Sequence, residues 1–471
     1  VNPAVTVVQS FFVSIPFFES PYRGLTICNE FSKGCSGRVL HRRKYMKKLH
    51  ILSHVVLGTM LFGCVDSSPN TVEATGGMTD TNIHGGSMYG GTQTGGVSPF
   101  GGAGGSIPVG TGGCEAKVAL AEMKIGWNLG NSLDAVGGNR SDAEAETAWG
   151  NPKITPALIQ AVAKAGFGVV RIPVTWIGRF GDAPDYTIRA AFLSHVEEVV
   201  NYVLDQNLYA IINLHHDGGK GVNGQWLNLA SSSPTLEAQF KKIWAQIADK
   251  FKGHGDRLIF ESMNEIQGSS NTPTQVNFNV INALNQSFVE TVRLAGGNNP
   301  SRCLLVPGYN TNIDHTVKGF VAPFDSSAGK LILSVHYYDP WNYAGAGSTH
   351  AWGAGNPGID NWGQEDWVRK QMAKLKATYI DKGIPVIMGE YGAVNQAGFE
   401  SYRRYYMEYV TKAAYDVGIV PIYWDNGSTR SGEDAFGLFN RATNTVLHPT
   451  ILEGMIRAVS FSYSLADVAK P

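Results

Sequence analysis

Two short stretches of the chain run apolar and then stop at an acid. One is Phe260-Glu261-Ser262-Met263-Asn264-Glu265 and the other is Val386-Ile387-Met388-Gly389-Glu390. An apolar run of that length, with helical patterns on both sides, reads as a buried parallel strand. A carboxylate at its carboxyl end then lies at the mouth of the sheet, where α/β proteins bind ligands. Two carboxylates from two strands, aimed at one point, are the equipment for hydrolysing a bond between sugars.

Other strand ends carry functional side chains too. The second ends near Arg171, the third at Asn213-Leu214-His215-His216-Asp217, the fourth at Asn264-Glu265, the sixth at His336-Tyr337-Tyr338 and the eighth at Trp424. Singly, each has an ordinary structural explanation, such as a salt bridge for the arginine or a hydrogen-bonded core position for a histidine. Six of eight strand ends carrying such residues is hard to attribute to chance.

These residues need a frame that brings strand ends together. A short apolar run reaches Trp127 and turns at Gly130. Further strands are predicted over Phe167–Ile172, Leu208–Leu214, Leu258–Met263, Cys303–Val306, Leu331–Val335, Ile384–Met388 and Ile419–Tyr423. Helices are predicted over Pro156–Ala165, Ile188–Gln206, Leu236–Phe251, Val276–Ala295, Gln364–Ile380, Phe399–Val417 and Pro449–Ser460. Thr155 is a candidate N-cap, with Pro156 in the first turn. A long aromatic loop covers Tyr337–Trp362. Eight strands alternating with helices imply a parallel sheet, and eight units close a barrel. The expected fold is therefore α/β, a (β/α)8 TIM barrel. A doubly wound open sheet would need a Gly-rich dinucleotide turn after the first strand, and Gly126 to Gly130 does not supply one.

The N-terminal part reads differently. Residues 1–45 have no periodicity and read as a non-native or untranslated leader, with Met46 as the true start. Met46-Lys47-Lys48 and the apolar run Leu49–Phe62 form a signal peptide, 46–63, too short to span a membrane. From 64 to 113 the chain is Gly-, Ser- and Thr-rich and cannot bury enough surface to offset its chain entropy, so a flexible, disordered tether is expected. Its glycines lack the strand and the Gly-Lys-Ser/Thr of a phosphate loop. The single folded domain is 114–471.

The net charge of −1 argues against nucleic acid as a partner, and 11% aromatic residues suit stacking on uncharged rings. Of five cysteines, Cys114 and Cys303 lie in the folded part. Both could lie at the bottom of the barrel, as a disulfide or as two buried thiols.

Met123-Lys124-Ile125-Gly126-Trp127-Asn128-Leu129-Gly130-Asn131-Ser132-Leu133-Asp134, Glu146-Thr147-Ala148-Trp149-Gly150-Asn151-Pro152, Met263-Asn264-Glu265 and Met388-Gly389-Glu390-Tyr391-Gly392 together resemble glycoside hydrolase family 5. This is the cellulase family of retaining (β/α)8 barrels, and the likeness is to its subfamily 4 of endoglucanases and xyloglucanases. It covers Met123 to about Arg457. It implies that Glu265 is the acid/base and Glu390 the nucleophile. Arg171, His215, Asn264, His336, Tyr338 and Trp424 fall on the remaining site positions, with His216, Asn131 and Trp341 in support. Ile266 stands where the family often has Pro, and Ser132 where Thr is commoner. Leu61-Phe62-Gly63-Cys64 resembles a bacterial lipobox, which implies lipidation at Cys64 and a bacterial envelope lipoprotein. A plain signal peptide would give a secreted protein.

The roles also have physical reasons. Glu390 must be ionised to attack, and Arg171 and Tyr338 can donate to it. Glu265 must start protonated, and the nearby charge of Glu390 is expected to raise its pKa. Asn264 can bind the sugar 2-hydroxyl, and Trp424 offers a flat face. Trp226 and Trp341 lie on loops where they could stack on sugars or seal the loop to the barrel. A metal at His215-His216-Asp217 is not expected, because adjacent residues on a strand point to opposite faces. No cofactor is expected. The expected function is an endo-β-1,4-glucanase acting on β-glucan, including xyloglucan. The alternatives are a mannanase using the same site and a non-catalytic glycan-capture lipoprotein. A monomer is expected, with membrane contact only through the lipid.

Overall fold

The computed structural model describes residues 113–471, apart from 138–141, 143, 219–224 and 230–232. The leader, signal peptide, Cys64 and the tether up to 112 lie outside the described residues. Eight strands pair in parallel in sequence order, and the first closes on the last: β1 Gly126–Leu129, β2 Val169–Ile172, β3 Tyr209–Asn213, β4 Leu258–Glu261, β5 Leu304–Asn312, β6 Leu331–Tyr337, β7 Val386–Tyr391 and β8 Val420–Asp425. This is the expected (β/α)8 barrel.

The helices are α1 Ala116–Met123, α2 Pro156–Lys164, α3 Ala190–Leu204, α4 Pro234–Lys250, α5 Gln275–Leu294, α6 Ile313–Gly319, α7 Trp341–Ala344, α8 Glu365–Thr378, α9 Glu400–Asp416 and α10 Pro449–Ser460. Thr155 caps α2 as expected, its side chain accepting the Leu158 N–H. The sequence pattern missed α1, α6 and α7, each of eight residues or fewer, where periodicity has too few turns to register.

Period-2 alternation sorts the strand side chains into two cores. Val170, Ile172, Ala210, Ile212, Leu258, Phe260, Leu304, Leu333, Val335, Val386 and Met388 join the core shared with the helices. Their neighbours Val169, Tyr209, Ile211, Ile259, Leu305, Ile332, Ile387, Val420 and Ile422 form a separate core inside the barrel. Gly126 belongs to this inner layer. A Cβ there would lie 2.6 Å from Val169 and 2.9 Å from Ile422, so glycine is the residue that fits. Above that apolar floor the inward positions turn polar: Asn128, Arg171, Asn213, Glu261, Ser334 and His336 are all buried.

α1 closes the floor. Its buried residues Ala116, Ala119, Leu120 and Met123 join the inner core, together with Cys114 and Cys303. The two cysteines form a disulfide that bridges 189 residues of sequence. It ties the chain entry to the residue before β5, at the end of the barrel opposite the polar layer. A loop of that length gives about 5 kcal/mol in the chain-entropy picture, an upper figure for real disulfides.

β7 departs from regular pairing. Val335 pairs with Met388, but His336 pairs with Glu390. On the other side Met388 pairs with Pro421 and Tyr391 with Tyr423. Both neighbours therefore count one extra residue in β7, a β-bulge at Gly389. Strict alternation would send Glu390 outward with Met388. The bulge turns it inward, while Tyr391 returns to the outer core.

Replacing both Cys114 and Cys303 by Ser is expected to lower the thermal midpoint by about 5 °C or more, with activity per folded molecule unchanged. Calorimetry alongside an activity assay checks this; an unchanged midpoint would show that α1 alone holds the floor.

Candidate active site

The site is built around a buried arginine. Arg171 stands on β2 with no exposed surface. Its Nε donates to Glu261 Oε2 at 2.7 Å. Nη1 donates to Glu390 Oε1 at 2.8 Å and to Asn128 Oδ1 at 3.0 Å, and Nη2 to Asn264 Oδ1 at 2.8 Å. Burial alone would depress its pKa, but the Glu261 and Glu390 carboxylates hold it above the ordinary arginine value.

Glu390 is reached from two sides. Arg171 holds one oxygen, and the Tyr338 hydroxyl donates to the other at 3.0 Å. Glu265 accepts from His336 Nδ1 at 2.7 Å, and the same ring nitrogen lies 3.6 Å from Glu390 Oε2. One oxygen of each of the two glutamates and a His336 nitrogen all lie within 4.8 Å of one another. Glycosidases that retain anomeric configuration place their carboxyl groups about 5–5.5 Å apart, and inverting ones about 6.5–9.5 Å. The pair here belongs with the closer spacing.

The protonation balance differs from the sequence expectation, in which Glu265 carries the raised pKa. Burial and then the neighbouring Glu265 charge push Glu390 up, against the pull of His336 and Arg171. Burial also acts upward on Glu265, but the His336 hydrogen bond and the positive charges around it win, and its pKa is lowered. The His336 hydrogen bond and the positive charges around Glu265 make the asymmetry, since burial acts upward on both carboxyls. The Glu265 side chain is 40% exposed and the Glu390 side chain 7%. Solvent reaches the first and hardly the second.

Asn264 is oriented by Arg171. With its oxygen taken by the guanidinium, its NH2 faces the cleft, 3.5 Å from His215 Nε2. Asn213 Nδ2 lies 3.2 Å from His215 Nδ1 and 2.9 Å from Glu261 Oε2, donating to both. His215 thus meets an amide NH2 at each ring nitrogen, Asn213 at Nδ1 and Asn264 at Nε2, and Nε2 lies 3.9 Å from Glu390 Oε1. Burial, then His216 and Arg171, keep the His215 pKa far below its ordinary value, so the ring is neutral. Trp424 lies parallel to that ring, 5.8 Å away. Gly130 makes room for it: a Cβ there would stand 2.7 Å from the indole.

The two histidines correct the reasoning offered against a metal. β3 ends at Asn213, so strand alternation no longer governs His215 and His216. Their rings meet at 4.5 Å, and ligand atoms of Asp134, His215 and His216 lie within 4.8 Å of one another. Each nevertheless has a protein partner. Asp134 accepts the backbone N–H groups of Asn131 and Ser132 and faces His216, and His215 accepts from Asn213. Asn131 thus bears on the site through its backbone, at φ +56°.

The loop aromatics divide. Trp226 donates to Asp217 at 2.9 Å and packs edge-on to Phe180, so it seals its loop to the barrel. Trp341 is 55% exposed beside Tyr338 on the β6 side. Between the loops after β1 and β8, a cavity of about 300 Å³ is lined by Asn131, Trp149, Asn151, Asn426, Arg430 and Asp434, among others. Trp149 also packs on His216 at 5.4 Å.

Sequence reasoning gave no role to Asn128, Asn213, Glu261 and Ser334. Asn128 matters most for shape: its Nδ2 donates to the Gly389 carbonyl at 2.9 Å, gripping the bulge that aims Glu390. An isolated polar residue inside an apolar run, such as Asn128 in Gly126-Trp127-Asn128-Leu129, was the available signal.

Residues 133–430 match the model of the family described as Cellulase (glycosyl hydrolase family 5). Endoglucanase A of Paenibacillus barcinonensis is 42% identical over 360 residues, 72% of this chain and 89% of that protein. Among solved structures, a family 5 xyloglucanase from Paenibacillus pabuli is 43% identical, with a TM-score of 0.69 over 72% of this chain and 99% of its own. A GH5-4 broad specificity endoglucanase from Bacteroides salanitronis is 42% identical, with a TM-score of 0.70 over 77% of this chain and 100% of its own. The barrel, the paired carboxylates and these likenesses agree: the chain belongs to glycosyl hydrolase family 5, the cellulase family.

Proposed function

We propose that the chain is an endo-β-1,4-glucanase that cuts β-1,4-glucan backbones, xyloglucan included, by double displacement with retention. The observation that carries this reading is the pair of carboxylate oxygens within 4.8 Å, one from the β7 bulge and one just past β4. Glu390 attacks the anomeric carbon while Glu265 gives its proton to the leaving oxygen. Water, deprotonated by Glu265, then cleaves the glycosyl ester on Glu390. The Asn264 NH2 donates to the 2-hydroxyl, and the Trp424 face lies under the sugar ring.

The reactive form needs Glu390 charged and Glu265 protonated, the reverse of the bias in the free site. Substrate supplies the correction. A sugar chain across the cleft covers the exposed part of Glu265, and desolvation raises its pKa. The proton shared by the pair moves toward Glu265, leaving Glu390 ionised against Arg171 and Tyr338.

Endo action is supported by walls on both sides of the carboxylates. The cavity near Trp149 offers room for sugars on the glycone side, away from Glu265. Trp341 stands on the β6 side, where a leaving chain would pass. The xyloglucan reading is supported by the Paenibacillus pabuli relative and by the size of that cavity.

We also infer export to a bacterial envelope, by lipid attached at Cys64. The support is Met46-Lys47-Lys48, the apolar run to Phe62 and Leu61-Phe62-Gly63-Cys64. The Cys114–Cys303 disulfide suits an oxidising compartment.

Four measurements test these readings. Glu390→Gln and Glu265→Gln should each cut hydrolysis of xyloglucan and carboxymethylcellulose, the former on the order of 10⁴-fold or more, while both stay folded. Proton NMR of the first product should show the β-anomer; the α-anomer would overturn the roles given to both glutamates. His336→Ala removes a donor to ionised Glu265 and a positive neighbour of Glu390. Both pKa values then rise, so both limbs of the kcat/KM profile should move up by about one pH unit. For the anchor, cells fed labelled palmitate should label the natural protein and not Cys64→Ser; an unlabelled natural protein would leave it secreted.

A further inference from the structure

Glu261 closes β4 on the inner wall of the barrel with no exposed surface, so it cannot touch a substrate. Its carboxylate is nevertheless fully engaged. One oxygen accepts from Arg171 Nε at 2.7 Å and Asn213 Nδ2 at 2.9 Å, and the other from Ser334 Oγ at 2.8 Å. Arg171 therefore serves two anions. Its Nε edge faces Glu261 and its Nη1 faces Glu390, while amide oxygens of Asn128 and Asn264 take two further N–H groups.

Neutral acceptors already orient most of the guanidinium, and a neutral acceptor at position 261 could orient its last edge. What a carboxylate adds is charge. A nucleophile given an undivided arginine is a more stable anion and a weaker attacker. It is also a more polarised ester once glycosylated. A second carboxylate under the same guanidinium draws off part of that field.

We propose that Glu261 is a positioning residue that divides the charge of Arg171, so that Glu390 is aimed by the arginine without being quenched by it. This rests on the reading of Glu390 as nucleophile. The effect runs through a fixed path: Glu261 sits on the guanidinium Nε, two bonds from the nitrogen that binds Glu390. Ser334 and Asn213 hold Glu261 in turn, and both belong to the polar layer above the barrel floor.

Glu261→Gln tests the charge with the geometry kept. The glutamine oxygen can accept from Arg171 Nε and Asn213, and its NH2 can donate to Ser334 Oγ. With the second anion gone, Arg171 stabilises Glu390 alone and Glu390 ionises more easily. Glu390 carries the higher pKa of the pair in the free site, so the alkaline limb of the kcat/KM profile should move down by about one pH unit. At neutral pH kcat should fall by about tenfold with KM within about twofold, as expected when a step after binding is slowed.

Ser334→Ala works in the other direction. Glu261 loses a donor and draws harder on Arg171, so the alkaline limb should move up. The opposite signs are what a purely structural role would not produce. An alkaline limb unmoved in both folded variants, or moved the same way in both, overturns the proposal. If Glu261→Gln does not fold, a downward or absent shift in Ser334→Ala overturns it alone.

A separate control isolates the underlying reading. The natural protein is treated with a 2-deoxy-2-fluoro-cellobiosyl fluoride, in which a carboxylate oxygen bonds to the anomeric carbon as fluoride departs with the bonding pair. Mass spectrometry should place the sugar on Glu390. Labelling elsewhere would sink the assignment of the nucleophile; labelling at Glu390 with unmoved pH limbs would sink only the role of Glu261.

Discussion

A single buried cation organises the site. Arg171 cannot be left unpaired in the barrel, since a bare charge out of water costs several kcal/mol even after relaxation. Its N–H groups therefore dictate where their acceptors stand. Glu261 and Glu390 take the charge, and Asn128 and Asn264 take the remaining directions. The acceptors come from three strands, Glu261 and Asn264 both from the end of β4, so one side chain on β2 ties together β1, β4 and β7. The same bond that satisfies Arg171 turns the Asn264 amide toward the cleft. Stability and substrate orientation are met by one set of contacts.

The second constraint is backbone. Parallel strands present alternate residues to the barrel interior, and Glu390 is on the wrong parity by simple counting from Ile387. The extra residue at Gly389 changes the parity. A bulge interrupts the ladder and needs compensation. Asn128 supplies part of it by donating to the Gly389 carbonyl. Space is also tight: a Cβ at 389 would come within 3.1 Å of His336 and Ser334. The residue that aims the nucleophile is thus small because two polar neighbours of the site crowd it.

The barrel was legible in the sequence because it rests on long apolar runs with clear period, which survive without knowledge of contacts. Glu265, Glu390, Arg171, His215, His336 and Tyr338 were legible because polar residues stand out at the ends of such runs. Boundaries were less so. β6, β7 and β8 run on through His336, Glu390 and Trp424, so these side chains hang from the strands themselves. β5 continues to Asn312 through Asn310 and Thr311 at positive φ, which no apolar pattern marks. Glu261 was in view but carried no role, because its meaning lies in what stands across the barrel from it. The meeting of His215 with His216 was missed by extending strand rules past the last strand residue.

The two acids of the free site are shifted in the directions opposite to those reaction needs, and this follows from the same geometry. Glu390 is enclosed because Arg171 and Tyr338 must grip it. Glu265 is open because it must meet a leaving group that arrives from solvent. Enclosure raises the Glu390 pKa; burial acts the same way on Glu265, but His336 at 2.7 Å and the cations around it outweigh it and lower that pKa. A substrate that fills the cleft acts against this difference, since it adds cover to Glu265 and little to Glu390. A molecule too short to cover Glu265 would bind near Glu390 and leave the proton where it was. Dependence of turnover on chain length past the scissile bond is therefore built into the unequal exposure of the two acids, before any contact specific to a particular glucan is considered.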